Sequence, residues 1–110
     1  MCYTTAVQLL AALADPTRRR IVELLAEGER DATELGSHFA ISQPAVSRHL
    51  RVLREHGLVH ARPQAQRRIY SLDPAPLAEL DEWVGRYRSF WEQRLDALET
   101  EIRRAREEST

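Results

Sequence analysis

Three arginines, Arg48, Arg51 and Arg54, recur three residues apart in the stretch Ser42-Gln43-Pro44-Ala45-Val46-Ser47-Arg48-His49-Leu50-Arg51-Val52-Leu53-Arg54. A guanidinium presents paired, planar donors that fit a phosphate or the O6/N7 edge of guanine, and the amide of Gln43 fits adenine in the same two-point way. Ser47 is small enough to let a backbone approach closely. Placed on a helical wheel at about 100° per residue, Ala45, Val46, His49, Leu50, Val52 and Leu53 fall on one arc. Gln43, Pro44, Ser47, Arg48, Arg51 and Arg54 fall on the other. One face would pack and the other would be free to touch a polyanion. An amphipathic helix whose arginines are merely solvated has the same pattern. His49, at the edge of the packing arc, reads as a satisfied structural histidine rather than a ligand.

A second basic group, Arg62, Arg67 and Arg68, surrounds the polar turn Pro63-Gln64-Ala65-Gln66, between two strand-like runs at Leu58 to Arg62 and Arg67 to Leu72. Such a hairpin tip can lay guanidinium groups on a nucleic-acid backbone or in a minor groove. It can equally be a charged edge that discourages strand-to-strand association. The layout of charge favours the first reading. The chain carries a formal net charge of −1, yet residues 41–72 hold six arginines against the single acid Glu55, while acids outnumber arginines on both sides. A basic island in an acidic chain is the footprint of a surface that meets nucleic acid.

The elements that would position these residues have legible ends. Asp15-Pro16 reads as an N-cap with proline at the first helical position. The helix it opens carries Ile21, Leu24 and Leu25 on one face and stops at Gly28. Asp31 and Glu34 have capping-box spacing, opening a short helix that would turn Leu35 and Phe39 inward. A very short crossing, Phe39-Ala40-Ile41-Ser42, leads to the arginine-bearing helix, which Gly57 ends. An N-terminal helix of about ten residues surrounds Val7, Leu10 and Leu13, and Asp73-Pro74 caps a last, long helix. The order α-α-α-α-β-β-α is that of a winged helix-turn-helix, mainly α with a small β-hairpin, in one domain spanning residues 1–110. Its major-groove face would be Ser42, Gln43, Ser47, Arg48 and Arg51, and its wing contacts Arg67 and Arg68.

These segments resemble the ArsR family of winged-helix repressors. The resemblance rests on Ala12-Leu13-Ala14-Asp15-Pro16-Thr17-Arg18-Arg19-Arg20-Ile21, on Ile41 through Leu53, on Gly57-Leu58-Val59, and on Arg67-Arg68-Ile69-Tyr70-Ser71-Leu72-Asp73. It implies a homodimer that binds an inverted repeat in double-stranded DNA near a promoter and usually represses it. Two departures stand out. Many relatives sense metals through a Cys-x-Cys pair at the start of the third helix, or through Asp, His and Glu on the last helix. Here the third helix begins Asp31-Ala32-Thr33-Glu34-Leu35-Gly36 and the last helix has no histidine, so no metal and no cofactor is expected. The wing turn also lacks the glycine common in relatives.

In the last helix, Leu77, Leu80, Val84, Tyr87, Trp91, Leu95, Leu98 and Ile102 recur at spacings of three and four, a stripe too long for one small domain to cover. A dimer core is the expected use. Its residues would be Leu80, Val84, Tyr87, Trp91 and Leu98, joined by Val7 and Leu10, with dimerisation helices at about 4–14 and 74–104. A small-molecule pocket lined by Trp83, Tyr87, Phe90 and Trp91 competes with that reading. Two further rivals are a thiol-responsive sensor using Cys2 and a winged helix that binds protein instead of DNA. The single cysteine and the lack of a membrane-length apolar run or basic leader place the chain in the cytoplasm. No grouping of nucleophile, base and orienting residue suggests an enzyme.

Overall fold

Three helices of the first unit start at side chains that accept backbone N–H groups. In the computed structural model, which describes residues 3–109, α1 (Tyr3–Ala14) leads into Asp15. The Asp15 carboxylate accepts from the N–H of Thr17 at 2.8 Å and of Arg18 at 3.1 Å, opening α2 (Pro16–Glu27). Asp31 and Glu34 form the expected capping box at the head of α3 (Ala32–Gly36), each side chain accepting the other's backbone N–H. Ser42 Oγ accepts from Ala45 N at 3.3 Å and starts α4 (Gln43–Glu55). That helix closes as a Schellman motif. Gly57 takes the left-handed conformation, φ +72°, while its N–H reaches the Arg54 carbonyl and the Leu58 N–H reaches that of Leu53. Cys2, the residue on which a thiol-responsive sensor would rely, lies outside the described residues.

Three strands form an antiparallel sheet in the order β1-β3-β2, with β1 at Arg30–Asp31, β2 at Val59–Gln64 and β3 at Arg67–Leu72. Two features differ from the sequence reading. The two-residue β1 pairs Arg30 with Tyr70 and Asp31 with Ile69, a strand too short to leave an alternation. The hairpin is also longer. Pro63 faces Arg68 and Gln64 faces Arg67, so only Ala65 and Gln66 make the turn. Proline is accommodated because β2 is an edge strand and need not donate outward.

The described residues fall into two compact units that divide after Leu80. In the first, Leu9 and Ala12 of α1, Ile21, Leu24 and Leu25 of α2, Leu35 of α3, and Val46, Leu50 and Leu53 of α4 meet Leu58, Val59 and Tyr70. Phe39 lies beyond the end of α3 yet still packs on this core, as do Leu77 and Leu80. On α1 the buried positions are Ala6, Leu9 and Ala12, which leaves Val7 and Leu10 exposed.

The continuous last helix expected over about 74–104 is replaced by two, α5 (Ala75–Gly85) and α6 (Arg88–Glu108). At the junction Tyr87 N–H bonds to the Val84 carbonyl and Phe90 N–H to that of Tyr87, three-residue steps in place of the helical four. Gly85, which loses the most backbone entropy in a helix, stands where α5 gives out. The apolar spacing hid this break, because Val84, Tyr87 and Trp91 keep steps of three and four across it.

Ala65 is the one non-glycine residue with positive φ, 56°, among the described residues. A side chain in that region is strained by roughly 1–2 kcal/mol, against which a glycine must set its larger unfolded-state entropy. Ala65→Gly should therefore raise stability by about 0.5–1 kcal/mol, read as a higher urea midpoint at unchanged slope. A lower midpoint would refute this account of the turn.

Candidate nucleic-acid interface

The two arcs of α4 separate as the wheel requires. Val46, Leu50 and Leu53 are buried, Ala45, His49 and Val52 half-buried, and Gln43, Pro44, Ser47, Arg48, Arg51 and Arg54 exposed. The crossing from α3 spans residues 37–42 and is held by turns in which the N–H groups of His38 and Phe39 bond to the carbonyls of Leu35 and Gly36.

The residues expected at the interface divide by what they already bind. Ser42 is the N-cap, its oxygen taken by the Ala45 N–H. The Gln43 Nε2 donates to the Ala32 carbonyl at 3.0 Å, tying the first turn of α4 to the first turn of α3, and a Cβ on Gly36 would collide with Gln43 Oε1. That bond takes one of the two Nε2 hydrogens and leaves the other, and Oε1, for a further partner. Ser47 stands exposed beside Arg48 and Arg51. At the hairpin, Arg67 lies 3.6 Å from the buried carboxylate of Asp31, and Arg62 is paired with Glu29. Of the six arginines in the basic island, Arg48, Arg51, Arg54 and Arg68 form no ion pair among the described residues. Within the island the free positive charge is thus concentrated on one face of α4 and one position of the wing.

Arg18 is a positioning residue that pattern reading missed. From the first turn of α2 its Nε donates to the Ala12 carbonyl at 2.6 Å and its Nη2 to that of Ala11 at 3.3 Å, while Nη1 sits 3.5 Å from His49 Nδ1 on α4. It binds the carbonyl end of α1 and reaches the packed edge of the arginine-bearing helix. The Asp15 carboxyl is held below its ordinary range, first by the Arg18 N–H, with the nearby His49 and the Thr17 N–H assisting against some burial.

The hairpin base is fastened in a similar way. His60 Nε2 lies 2.7 Å from Asp73 Oδ2, and the other Asp73 oxygen accepts the Ala75 N–H at 2.9 Å. The Ala75 N–H and His60 together lower the Asp73 carboxyl. Among the described residues, no three His, Cys, Asp or Glu side chains come together as a metal site, and no helix is long and apolar enough to cross a membrane.

Residues 15–61, from the Asp15 cap through the start of the hairpin, match the model of the bacterial regulatory protein arsR family. Over 93 residues the chain is 49% identical to the HTH-type transcriptional regulator Rv2034 of Mycobacterium tuberculosis, covering 84% of each protein. It is 36% identical to the transcriptional repressor SdpR of Bacillus subtilis, over 66% of this chain and 81% of SdpR. Among solved structures, an ArsR-like transcriptional regulator from Rhodococcus sp. RHA1 superposes with a TM-score of 0.72 at 28% identity, over 89% of this chain and 92% of that one.

The Asp15 site has a pH signature. A carboxyl whose folded pKa is depressed contributes stability that is complete above its unfolded value, about 3.9, and is lost as pH falls through the folded value. Asp15→Asn keeps a capping side chain and removes only the charge. Wild type should be the more stable at pH 6, with the gap closing below about pH 4. Urea midpoints measured from pH 6 to 2.5 check this, and a gap that persisted at pH 2.5 would contradict it.

Proposed function

The chain belongs to the arsR family of bacterial regulatory proteins, and from that premise we propose that it is a homodimeric repressor whose α4 enters the major groove of an inverted-repeat operator. The family makes it a DNA-binding transcriptional regulator, and the finer assignment is the proposal. One observation carries it. A 13-residue helix that follows a tight crossing is sealed to the core on one side and bares three unpaired guanidiniums on the other. The interface consists of Ser42, Gln43, Ser47, Arg48 and Arg51 in the major groove, with Arg68 and Arg67 at the wing. Arg68 is free to bind at once, whereas Arg67 must exchange Asp31 for a phosphate. The protein would act on DNA in the cytoplasm, without a metal or cofactor.

The dimer reading rests on apolar surface that this chain leaves bare. In α6 no residue is buried, and Tyr87, Phe90, Trp91, Leu95, Leu98 and Ile102 are between 39% and 60% exposed. Val7 and Leu10 of α1 are 42% and 46% exposed. Trp83 stacks edge-on with Tyr87 at 5.6 Å, and Arg94 lies 4.1 Å over the Phe90 ring, so the aromatic residues are already ordered along the stripe. Exposed apolar area on this scale marks a binding surface. A second chain supplies a matching stripe by symmetry. Leu80, expected in the same seam, packs on the core of its own unit and contributes less, while Val84 is half-buried.

Two recognition helices in a symmetric dimer sit about one DNA turn apart, so half-sites should be centred about 10–10.5 base pairs, or a multiple, from each other. Arg51→Ala should cost about 1–3 kcal/mol per reading contact and relax the preference at one position of each half-site. Arg68→Ala should weaken matched and scrambled duplexes alike and reduce the slope of log affinity against log salt by about 0.9 per contact, or about 1.8 in a dimer. Fluorescence titrations at several salt concentrations distinguish the two. The reverse pattern would assign reading to the wing and gripping to the helix.

Trp91→Asp places a charge in a seam that the dimer would desolvate. Sedimentation at micromolar concentration should show a dimer for wild type and a monomer for the variant, with operator binding lost alongside. A monomeric wild type would end the dimer reading.

A further inference from the structure

An open groove of about 420 Å³ runs between the exposed face of α4 and strand β2, lined by Arg51, Arg54, Glu55, Val59, His60 and Ala61. We propose that this groove holds one phosphate of the DNA strand that separates the major groove from the neighbouring minor groove, with Arg54 as its principal ligand and Arg51 at the rim. The inference rests on the reading of α4 and the hairpin as DNA-contacting elements, and it deepens that reading by assigning Arg54 a site of its own.

The geometry comes from the duplex. A helix in the major groove and a hairpin tip directed at the adjacent minor groove must have a sugar-phosphate strand between them. In this protein the Arg54 groove lies between α4 and the base of that hairpin, at Val59 to Ala61, on the path between the two elements. Arg54 is exposed and makes no ion pair among the described residues, although Glu55 sits in the same wall. A guanidinium that a neighbouring carboxylate does not claim keeps its donors for an incoming oxygen. The opposite wall is set in place, since His60 is fastened to Asp73, which also caps α5. The floor, Val59 and Ala61, is apolar, and so leaves the arginines as the groups that can bind an anion. A compact organic ligand fits poorly, because small-molecule sites enclose most of their ligand in an apolar cleft. This groove is charged and open to solvent.

Glu55 gives the proposal a second, opposite consequence. Its carboxylate faces the same space and repels any phosphate there, so the groove carries both a group whose loss should weaken DNA binding and one whose loss should strengthen it. A solvated arginine with no phosphate partner would show neither effect.

The test uses the whole 110-residue chain, a duplex that it selects from random sequence, and a scrambled duplex of the same length. Affinities are measured between 50 and 400 mM KCl. Arg54→Gln, which keeps helix propensity, should lower the salt slope by about 0.9 per bound subunit on both duplexes, leaving their affinity ratio unchanged. Arg54→Lys should restore most of the slope, and Glu55→Gln should tighten binding to both duplexes. Inorganic phosphate is titrated separately against the free protein. If Arg54→Gln leaves the slope intact, or changes the preference between duplexes, the groove does not hold the strand. The same holds if Arg54→Gln abolishes a phosphate affinity of the free protein but spares the DNA slope, because the site then takes a free anion. A wild type with no salt-dependent DNA binding would overturn the function proposed for the whole interface along with the groove. An unchanged slope in Arg54→Gln, with wild-type binding intact, would overturn the groove alone.

Discussion

The interface depends on the burial of Val46, Leu50 and Leu53 against the core, because these three side chains fix which way α4 is turned about its own axis. Burying each is worth about 1.5–3 kcal/mol, so the set contributes on the order of the net stability of a small domain. Rotating the helix by one residue's angle would drive Ser47 or an arginine toward Ile21 and Leu24 and expose a leucine. The orientation of Arg48, Arg51 and Arg54 is therefore a consequence of packing. No interaction of the arginines themselves is needed to aim them, which leaves their donors available.

Side chains bonded to backbone then fix where α4 begins and what lies beside it. Ser42 sets its first turn, Gln43 ties that turn to Ala32, and the Asp31–Glu34 box sets the start of α3 on which Gln43 leans. Arg18 connects the end of α1 to His49 on the packed edge of α4. Each such bond nets only about 1 kcal/mol. Their value lies in register, since a helix held by leucines alone can slide along its axis more easily than it can rotate. Asp31 also connects the parts, as it caps α3, belongs to β1 and meets Arg67 of the wing.

Much of this was legible in the sequence, for physical reasons that differ from residue to residue. Helix starts at Asp15, Asp31 and Ser42 could be read because a cap is a local bond between a side chain and a backbone N–H two or three residues on. The division of α4 into two faces could be read because 3.6-residue periodicity is local as well. What escaped was non-local or too short to have a period. The link from Arg18 to His49 joins residues 31 positions apart, and β1 has only two residues. The break after Gly85 left the apolar spacing intact, so periodicity carried the helix straight across it. Pairing cannot be inferred from composition either: nothing in the order of residues says that Arg62 and Arg67 are engaged by Glu29 and Asp31 while Arg68 is not.

That last distinction bears on how a chain of net charge −1 can serve as a DNA-binding regulator. Non-specific attraction to DNA follows the number of phosphates a surface can neutralise, and a chain with acids spread outside one basic segment offers few surfaces that can do so. Within that segment the pairing of Arg62 and Arg67 narrows the free charge further, to the bare face of α4 and Arg68. On the proposed docking, the acids outside that segment would penalise encounters that bring them toward phosphates, while the unpaired arginines of α4 would supply the attraction where the helix meets the groove.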